Sequence, residues 1–308
     1  MNESVFHQGE RLIQERTGER ELALLNGRLI ADRIPGAARS FVAQQRVCVC
    51  AGLSADGNLW AHFLTGATGF AAVSEDLRFV EIHLTDSQDV LRRTPLFAAL
   101  EAGAPIGMLF VDLATRRRLR VNGKVAGITH LNLRLAVNEA YPNCPKYIQR
   151  RQIADVTPQL SVTDIEQGTT FNDAVAQWIR TADTLFVASA HPDGLIDASH
   201  RGGNPGFVRL SEDALLIPDY AGNSMFNTLG NFAVNPLAGL TFVDFDRARQ
   251  LQLTGEVELQ FDVNSNNELT GGTGRWWIFR PRRWIASPLN QPLAWKYIDA
   301  SRFNPRAS

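Results

Sequence analysis

Alternating apolar and polar positions run through most of the chain and predict β-strands. Residues 127–137 ("GITHLNLRLAV") and 251–261 ("LQLTGEVELQF") alternate as a strand with one buried face does. Residues 46–53 ("RVCVCAGL") and 184–190 ("TLFVASA") are apolar runs, each followed by an Asp-Gly turn. We therefore predict a mainly β protein built from many short strands.

Helical periodicity is confined to short segments between these strands. The segments with helical spacing are residues 36–45, 144–153, 171–182 and 223–234. Short strands with a few helices at the edges predict small antiparallel barrels, closed or half-closed, with peripheral helices.

The same pattern occurs twice along the chain. Residues 53–77 ("LSADGNLWAHFLTGATGFAAVSEDL") and 190–214 ("AHPDGLIDASHRGGNPGFVRLSEDA") share Asp-Gly, Gly-Phe and Ser-Glu-Asp at an offset of 137. The stretch from Gly107 ("GMLFVDLATRRRLRVNGKV") matches the stretch from Gly239 ("GLTFVDFDRARQLQLTGEV") at an offset of 132. A period above 100 residues is too long for a solenoid, so two copies of one domain are expected.

The polar segment 153–170 is the expected boundary between the two copies, because it contains Pro158 and Gly168 and no apolar periodicity. We predict a first domain at residues 1–155 and a second at residues 169–308.

Composition and charge exclude several classes of function. With 31 basic and 32 acidic residues the net charge is −1, so no global field attracts nucleic acid or an anionic membrane. No run approaches the roughly 20 apolar residues of a membrane span, and no secretory leader is expected. Three cysteines and six scattered histidines fit neither a disulfide framework nor a metal site. We expect a cytoplasmic protein without metal, nucleic-acid or membrane partners.

Two basic clusters have local interpretations. "TRRRLR" (115–120) lies at a hairpin, where a solvated turn is favoured over an anion site. "SHRGGNPGFVRL" (199–210) combines basic side chains with glycines between apolar runs. Glycine allows a ligand to approach the backbone, and Arg201 offers a planar fork for a phosphate. A tight loop or bulge is the structural alternative.

A second candidate binding segment is "YAGNSMFNTLGN" (220–231), which is interpreted as a turn entering a helix with Asn223 or Ser224 as N-cap. Free N–H groups in the first turn of a helix favour an anion. The side chains of Ser224, Asn227 and Thr228 add donors. An ordinary capped helix is the alternative.

The two segments together resemble the flavin-binding split-barrel proteins of the pyridoxamine 5'-phosphate oxidase type. The most similar branch has two copies, in which a degenerate first barrel precedes a flavin-binding second one. "EAYPNCPKYIQRR" (139–151) resembles a segment typical of that branch. The resemblance implies two tandem antiparallel split β-barrels with FMN at their junction.

The resemblance also implies a set of FMN contacts. From the second copy these are Ser199, His200, Arg201, Gly203, Phe207, Val208, Arg209, Asn223, Ser224, Asn227 and Thr228. Lys146 and Tyr147 would reach across from the first copy. The flavin carries the chemistry, so no catalytic side chain is predicted, and the backbone at 207–209 would tune the ring.

The expected activity is redox: FMN takes a hydride or electrons from a reductant such as a reduced nicotinamide and passes them to oxygen or an organic acceptor. A flavin-binding sensor without turnover is one alternative. The other is a scaffold with a decayed site, since relatives often have a basic residue where this chain has Met225. Cys144 is interpreted equally well as a redox or a structural thiol. A monomer with an internal pseudo-dimer and a homodimer both remain open.

Overall fold

The structure is a computed structural model that describes residues 5–84, 91, 93–154, 165–262 and 268–305. Helices are α1 Gln8–Thr17, α2 Arg20–Gly27, α3 Arg39–Ala43, α4 Pro95–Ala99, α5 Asp173–Thr181 and α6 Asn227–Val234, with a 3-10 helix at Gly36–Ala38 before α3.

Strands of the first half are β1 Val47–Leu53, β2 Leu59–Thr65, β3 Ala71–Val73, β4 Phe79–His83, β5 Pro105–Asp112, β6 Arg117–Ile128, β7 Asn132–Pro142 and β8 Arg150–Ile153. Strands of the second half are β9 Glu166–Gly168, β10 Thr184–Ala190, β11 Ile196–Gly202, β12 Arg209–Ser211, β13 Ala214–Pro218, β14 Leu237–Asp244, β15 Arg249–Gln260, β16 Trp276–Pro288 and β17 Trp295–Asp299.

Two large antiparallel sheets form the protein, and they have the same strand order. The first runs β2-β1-β5-β6-β7-β4-β3 and the second β11-β10-β14-β15-β16-β13-β12. Each strand of the first sheet thus has its counterpart at the same place in the second. The predicted mainly β fold with peripheral helices is confirmed. The equal order is what two copies of one domain require, although the predicted boundary at 155–169 lies largely outside the described residues.

Among the described residues the apolar core has one large cluster mainly within each half, a third that both halves share, and a small fourth cluster under the N-terminal helices. In the shared cluster, Val49, Phe63 and Leu109 of the first half pack with Phe186 and Val243 of the second. Phe63 and Phe186 have ring centroids 5.3 Å apart. Because this cluster is fully buried only when the halves are together, each half depends on the other for stability.

Two equivalent glycines permit this close contact. A Cβ on Gly107 in β5 would lie 2.6 Å from the Ile196 carbonyl oxygen in β11. A Cβ on Gly239 in β14 would lie 2.7 Å from the Leu59 carbonyl oxygen in β2. The two glycines match each other in the repeat, and so do the two strands that they contact. The halves therefore meet through one pseudo-two-fold relationship.

The N-terminal segment forms two helices that were not among the predicted ones, α1 and α2. A His7–Glu10 capping box begins α1, and Gly18 at φ 70° ends it. Gly9 and Gly230 allow α1 to pack directly against α6. Periodicity alone missed these helices because their buried faces are narrow and partly polar.

One predicted helix is wrong and the others are present. Residues 144–149 form a turn and 150–153 form β8, which pairs with β17. Tyr147 is left-handed at φ 65°, which a helix does not allow. The segments at 36–45, 171–182 and 223–234 do contain helices. No helix among the described residues is long and apolar enough to span a membrane.

Candidate functional site

A cleft of about 720 Å³, including the part open to solvent, lies between the two halves. The first half contributes β6 and the segment after β7, and the second contributes β11 and the turn before α6. Its lining consists of Arg118, Arg120, Asn143, Cys144, Tyr147, Ser199, His200, Arg201, Gly202, Asp219, Tyr220, Gly222, Asn223, Ser224, Phe226, Asn227, Thr228 and Leu229.

Most of the residues predicted to contact FMN meet in this cleft. Those that line it are Ser199, His200, Arg201, Asn223, Ser224, Asn227, Thr228 and, from the first half, Tyr147. Their role in binding FMN stays a prediction, but the fold brings both predicted segments and one residue of the opposite half to a single place.

The remaining predicted residues lie outside the lining. Phe207 and Val208 are buried in the core of the second half, and Gly203 lies against the Phe207 ring. Arg209 is exposed at the start of β12. The Lys146 ammonium lies 5.5 Å from the centroid of the Phe303 ring. The structure therefore gathers these five around the cleft rather than in it.

Arg201 belongs to a charged group at the cleft wall. Its guanidinium lies 3.6 Å from the Asp219 carboxylate, which is also 2.9 Å from Arg275. Asp219 thus lies between two arginines, and Arg275 pairs in addition with Glu19 at 2.9 Å. Burial lowers the pKa of Arg201 despite the attraction of Asp219. Its Nε has no hydrogen-bond partner among the described residues. The site retains donor capacity for a bound anion.

His200 is a buried imidazole with unused hydrogen-bonding capacity. Its side chain lies edge-on to Phe186, it is 4% exposed, and neither ring nitrogen has a partner among the described residues. Burial lowers the pKa of His200 well below its ordinary value, and the charges of Arg118 and Arg201 lower it further. The ring is therefore neutral at physiological pH, with one donor and one acceptor available at the cleft.

The turn before α6 is more strongly bent than the sequence suggested. Ser224 and Phe226 both have left-handed backbones, at φ 60° and 61°. The helix begins at Asn227, and Phe226 occupies the N-cap position without a side-chain cap. The prediction that Asn223 or Ser224 caps this helix is therefore wrong. Because neither side chain caps the helix, Ser224 contacts Glu19 and Asn223 accepts from the backbone N–H of Met225.

Protein groups already engage the donors predicted for phosphate. Ser224 Oγ donates to Glu19, and Asn227 Nδ2 donates to Glu10. Thr228 Oγ1 donates to Ser199 Oγ at 3.0 Å. The two carboxylates come from the N-terminal helical segment. This end of the cleft therefore holds acids where a phosphate was expected.

Met225 is a packing residue rather than a failed phosphate ligand. It is 1% exposed and packs with Phe6, Ala23 and Tyr141 beneath the N-terminal helices. Gln14 donates to its carbonyl oxygen at 3.0 Å. An apolar side chain at this position anchors α1 and α2, and a basic one would be buried there at a high cost.

Two arginines of the cleft were missed from the sequence. Arg118 and Arg120 lie on β6, and the solvated turn predicted for "TRRRLR" is confined to residues 113–116. Arg118 Nε donates to the Cys144 carbonyl oxygen at 2.7 Å. Arg120 donates to Asp197 in the opposite half. The period of two along β6 puts residues 118 and 120 on one face, and this was the available signal.

Two aromatic rings lie next to each other at the cleft. The centroids of Tyr147 and Tyr220 are 4.9 Å apart, and the ring planes are tilted by 39°. Tyr147 Oη donates to the Ala221 carbonyl oxygen at 3.0 Å, which ties the first half to the turn before α6. One ring of the pair can stack on a planar ligand, while the other packs at an angle to it.

One family model matches a part of the second half. Residues 171–277 match the family model described as pyridoxamine 5'-phosphate oxidase. Among curated proteins no relative matches the chain.

Three solved structures align with parts of this chain. HupZ from Group A Streptococcus is 16% identical at a TM-score of 0.31, over 38% of this chain and 99% of that one. A Clostridium acetobutylicum protein of the pyridoxinephosphate oxidase family is 14% identical at 0.29, over 41% and 92%. A FAD-binding protein from Mesorhizobium loti is 10% identical at 0.28, over 40% and 96%. These scores are low, so the site is interpreted from its own residues. The match at residues 171–277 confirms the resemblance of this chain to the pyridoxamine 5'-phosphate oxidase family.

Proposed function

We propose that the cleft binds FMN and that the protein is a flavin-dependent oxidoreductase. The observation that carries the proposal is the pair of unpartnered, buried donors at His200 and Arg201, which face a cleft with an aromatic wall. Buried polar atoms without partners are costly unless a ligand completes them. A flat, polar-edged anion such as FMN meets each of these requirements.

The residues present fit such a ligand in two regions. Arg201, Ser224 and Asn227 would hold the phosphate, in place of or beside the acids that now engage them. Tyr147 and Tyr220 would pack along the ring, with His200 offering a hydrogen bond to its polar edge. The contact from Tyr147 would make the first half part of the site.

When bound, the flavin would supply hydride and electron transfer between a reduced nicotinamide and oxygen or an organic acceptor. The chain's own residues would bind and orient the ring and exclude water from one face. His200 would hold its single ring proton as a neutral donor, because burial and the neighbouring arginines oppose a second one. No side chain is needed as nucleophile or general base.

One observation favours a second candidate, a scaffold that has no use for FMN. Glu19 accepts a hydrogen bond from Ser224, and its charge would repel a phosphate dianion. Glu10 occupies Asn227 in the same way, but burial raises the pKa of Glu10 to about 8, so it blocks a donor at neutral pH without adding a full charge. If these contacts persist in solution, FMN affinity is low. A flavin-binding sensor without turnover would share the site of the oxidoreductase and differ only in lacking reduction by a nicotinamide.

The test is the visible absorption spectrum of the purified chain before and after addition of FMN and desalting. We expect a retained flavin spectrum, followed by bleaching under NADH or NADPH without oxygen. If the protein retains FMN but neither NADH nor NADPH bleaches it, the flavin-binding sensor without turnover is supported instead of the oxidoreductase. A colourless protein after desalting would remove the proposed function.

A further inference from the structure

A second depression adjoins the cleft and shares Arg118 and Asn143 with it. Its wall is largely apolar and comes from the first half alone, with Pro35, Ala37 and Phe41 on one side. We call this depression the side groove. Arg118 and Asn143 therefore mark the junction between the side groove and the cleft.

Arg118 carries an unbalanced charge at that junction. Its Nε and Nη2 donate to the carbonyl oxygen of Cys144, which fixes the guanidinium in place. No carboxylate among the described residues pairs with it, whereas Arg120 pairs with Asp197 and Arg201 with Asp219. Burial lowers the pKa of Arg118 to about 9, although the neighbouring Cys144 raises it. An anion at the junction would restore the balance.

The equivalent position in the other half is neutral. Arg118 matches Gln250 in the repeat, and Gln250 accepts a hydrogen bond from the Phe63 backbone N–H at 2.9 Å. Its amide also contacts the ring of His62. Both the oxygen and the nitrogen of the Gln250 amide thus contact the first half. The fold therefore does not require a positive charge at this position. Only the first half has one, and its Arg118 faces the cleft.

We propose that Arg118 and the side groove form a separate binding subsite for a small anion with a flat apolar part. The carboxylate or phosphate of the ligand lies on Arg118, and its apolar part lies on the wall at Pro35 and Ala37. The Phe41 ring is 5% exposed and already carries the Arg117 guanidinium 4.8 Å from its centroid, so it supports this wall from beneath. That this ligand is the partner of a bound flavin rests on the proposed function, but the binding itself does not.

Binding of naphthoate to the purified full chain, followed by titration calorimetry without flavin, tests the subsite. Naphthyl methanol supplies the same ring without charge, and acetate supplies the charge without a ring. We expect naphthoate to bind about tenfold or more tightly than either, as one charge-assisted contact provides. Equal binding of the charged and neutral naphthyl compounds would overturn the role of Arg118.

Two variants test the position of the ligand. Arg118→Gln is expected to lower naphthoate affinity about tenfold, and Ala37→Trp, at an exposed position of the groove, is expected to block it. Arg134→Gln, an exposed arginine on β7, is the matched control. Because Arg118→Gln also loses the contact to Cys144, the Ala37 variant keeps the test decisive if that protein is unstable. Unchanged affinity in Ala37→Trp would overturn the subsite.

Competition separates this inference from the proposed function. Naphthoate bound in the side groove should remain bound when FMN is added. Displacement at equal stoichiometry would mean that naphthoate occupies the cleft, and the subsite would be rejected. Naphthoate binding without any FMN binding would leave the subsite in place and remove the flavin.

Discussion

Ser224 Oγ donates a hydrogen bond to the Glu19 carboxylate, joining residues 205 positions apart. Arg275 donates to the same carboxylate at 2.9 Å and to Asp219 at 2.9 Å. Glu19 immediately precedes α2, so the N-terminal segment inserts an acid among the donors of the cleft. The acid neutralises charge that an incoming phosphate would otherwise meet.

Replacing this acid should strengthen FMN binding. Glu19→Gln keeps the shape of the side chain but removes the negative charge, so we expect FMN to bind several-fold more tightly, for a gain of about 1 kcal/mol. Quenching of flavin fluorescence on titration measures the affinity. Glu21→Gln, at an exposed position in α2, is the control. Weaker binding in Glu19→Gln would mean that Glu19 supports the site rather than competing for it.

Loss of the cleft arginine should weaken FMN binding. Arg201→Ala removes one charge-assisted contact, and the expected loss is about 1.5–3 kcal/mol of binding free energy. The same fluorescence titration applies, with Arg180→Gln on the exposed side of α5 as control. An affinity equal to that of the unaltered protein would place the phosphate elsewhere.

The two interface glycines should be equally intolerant of a side chain. Gly107→Ala and Gly239→Ala each place a Cβ within 3.0 Å of backbone in the opposite half. We expect each to lower the free energy of unfolding by about 2–4 kcal/mol, since backbone cannot move aside as a side chain does. Gly127→Ala, which meets no atom within 4 Å, is the control. Urea unfolding measures all three, and a neutral result at either interface glycine would contradict the close contact.

Stability should fall as the pH rises from about 4.5 to about 8 because of Glu10. Burial, then the nearby charge of Asp197, raises the pKa of Glu10 to about 8. The folded state therefore binds a proton that the unfolded state releases above pH 4.5, and this stabilisation is lost as the pH rises to about 8. The lowered pKa of His7 acts in the opposite sense, but only below about pH 6.5.

The pH effect can be isolated in the window from 6.5 to 8. There we expect a loss of about 1–2 kcal/mol in the unaltered protein and a much smaller loss in Glu10→Gln. Urea unfolding at several pH values gives both slopes. Parallel slopes in the two proteins would show that Glu10 is ionised throughout.

Much of the fold could be predicted because strands and turns are encoded locally. Alternation along residues 251–260 and the turn at Asp193 and Gly194 needed no tertiary information. The single strand predicted at 127–137 is wrong, because that range holds the end of β6, a turn at 129–131 and the start of β7. The helix predicted at 144–153 failed because contacts to distant residues decide that segment: Gln149 bonds to the carbonyl oxygen of Gly203, and β8 pairs with β17.

The site was predicted in part for a similar reason. The glycines, basic residues and polar residues of segments 199–210 and 223–234 are evident in the sequence itself. The part of the cleft that the second half contributes could therefore be predicted. Arg118 was missed because its role depends on which face of β6 meets the other half. Met225 was expected to lie at the ligand, but it packs under helices whose presence the charged N-terminal sequence did not indicate.

Gly107 and Gly239 are equivalent positions in the two halves, and this equivalence has a consequence for symmetry. In a dimer of identical chains, a change on one side of the two-fold axis is forced on the other. In this chain the two equivalent positions are separate residues that can differ. Ser199 in the second half corresponds to His62 in the first, and Arg118 in the first half corresponds to Gln250 in the second. In a single chain with two such halves, each of the two equivalent positions can change without altering the other.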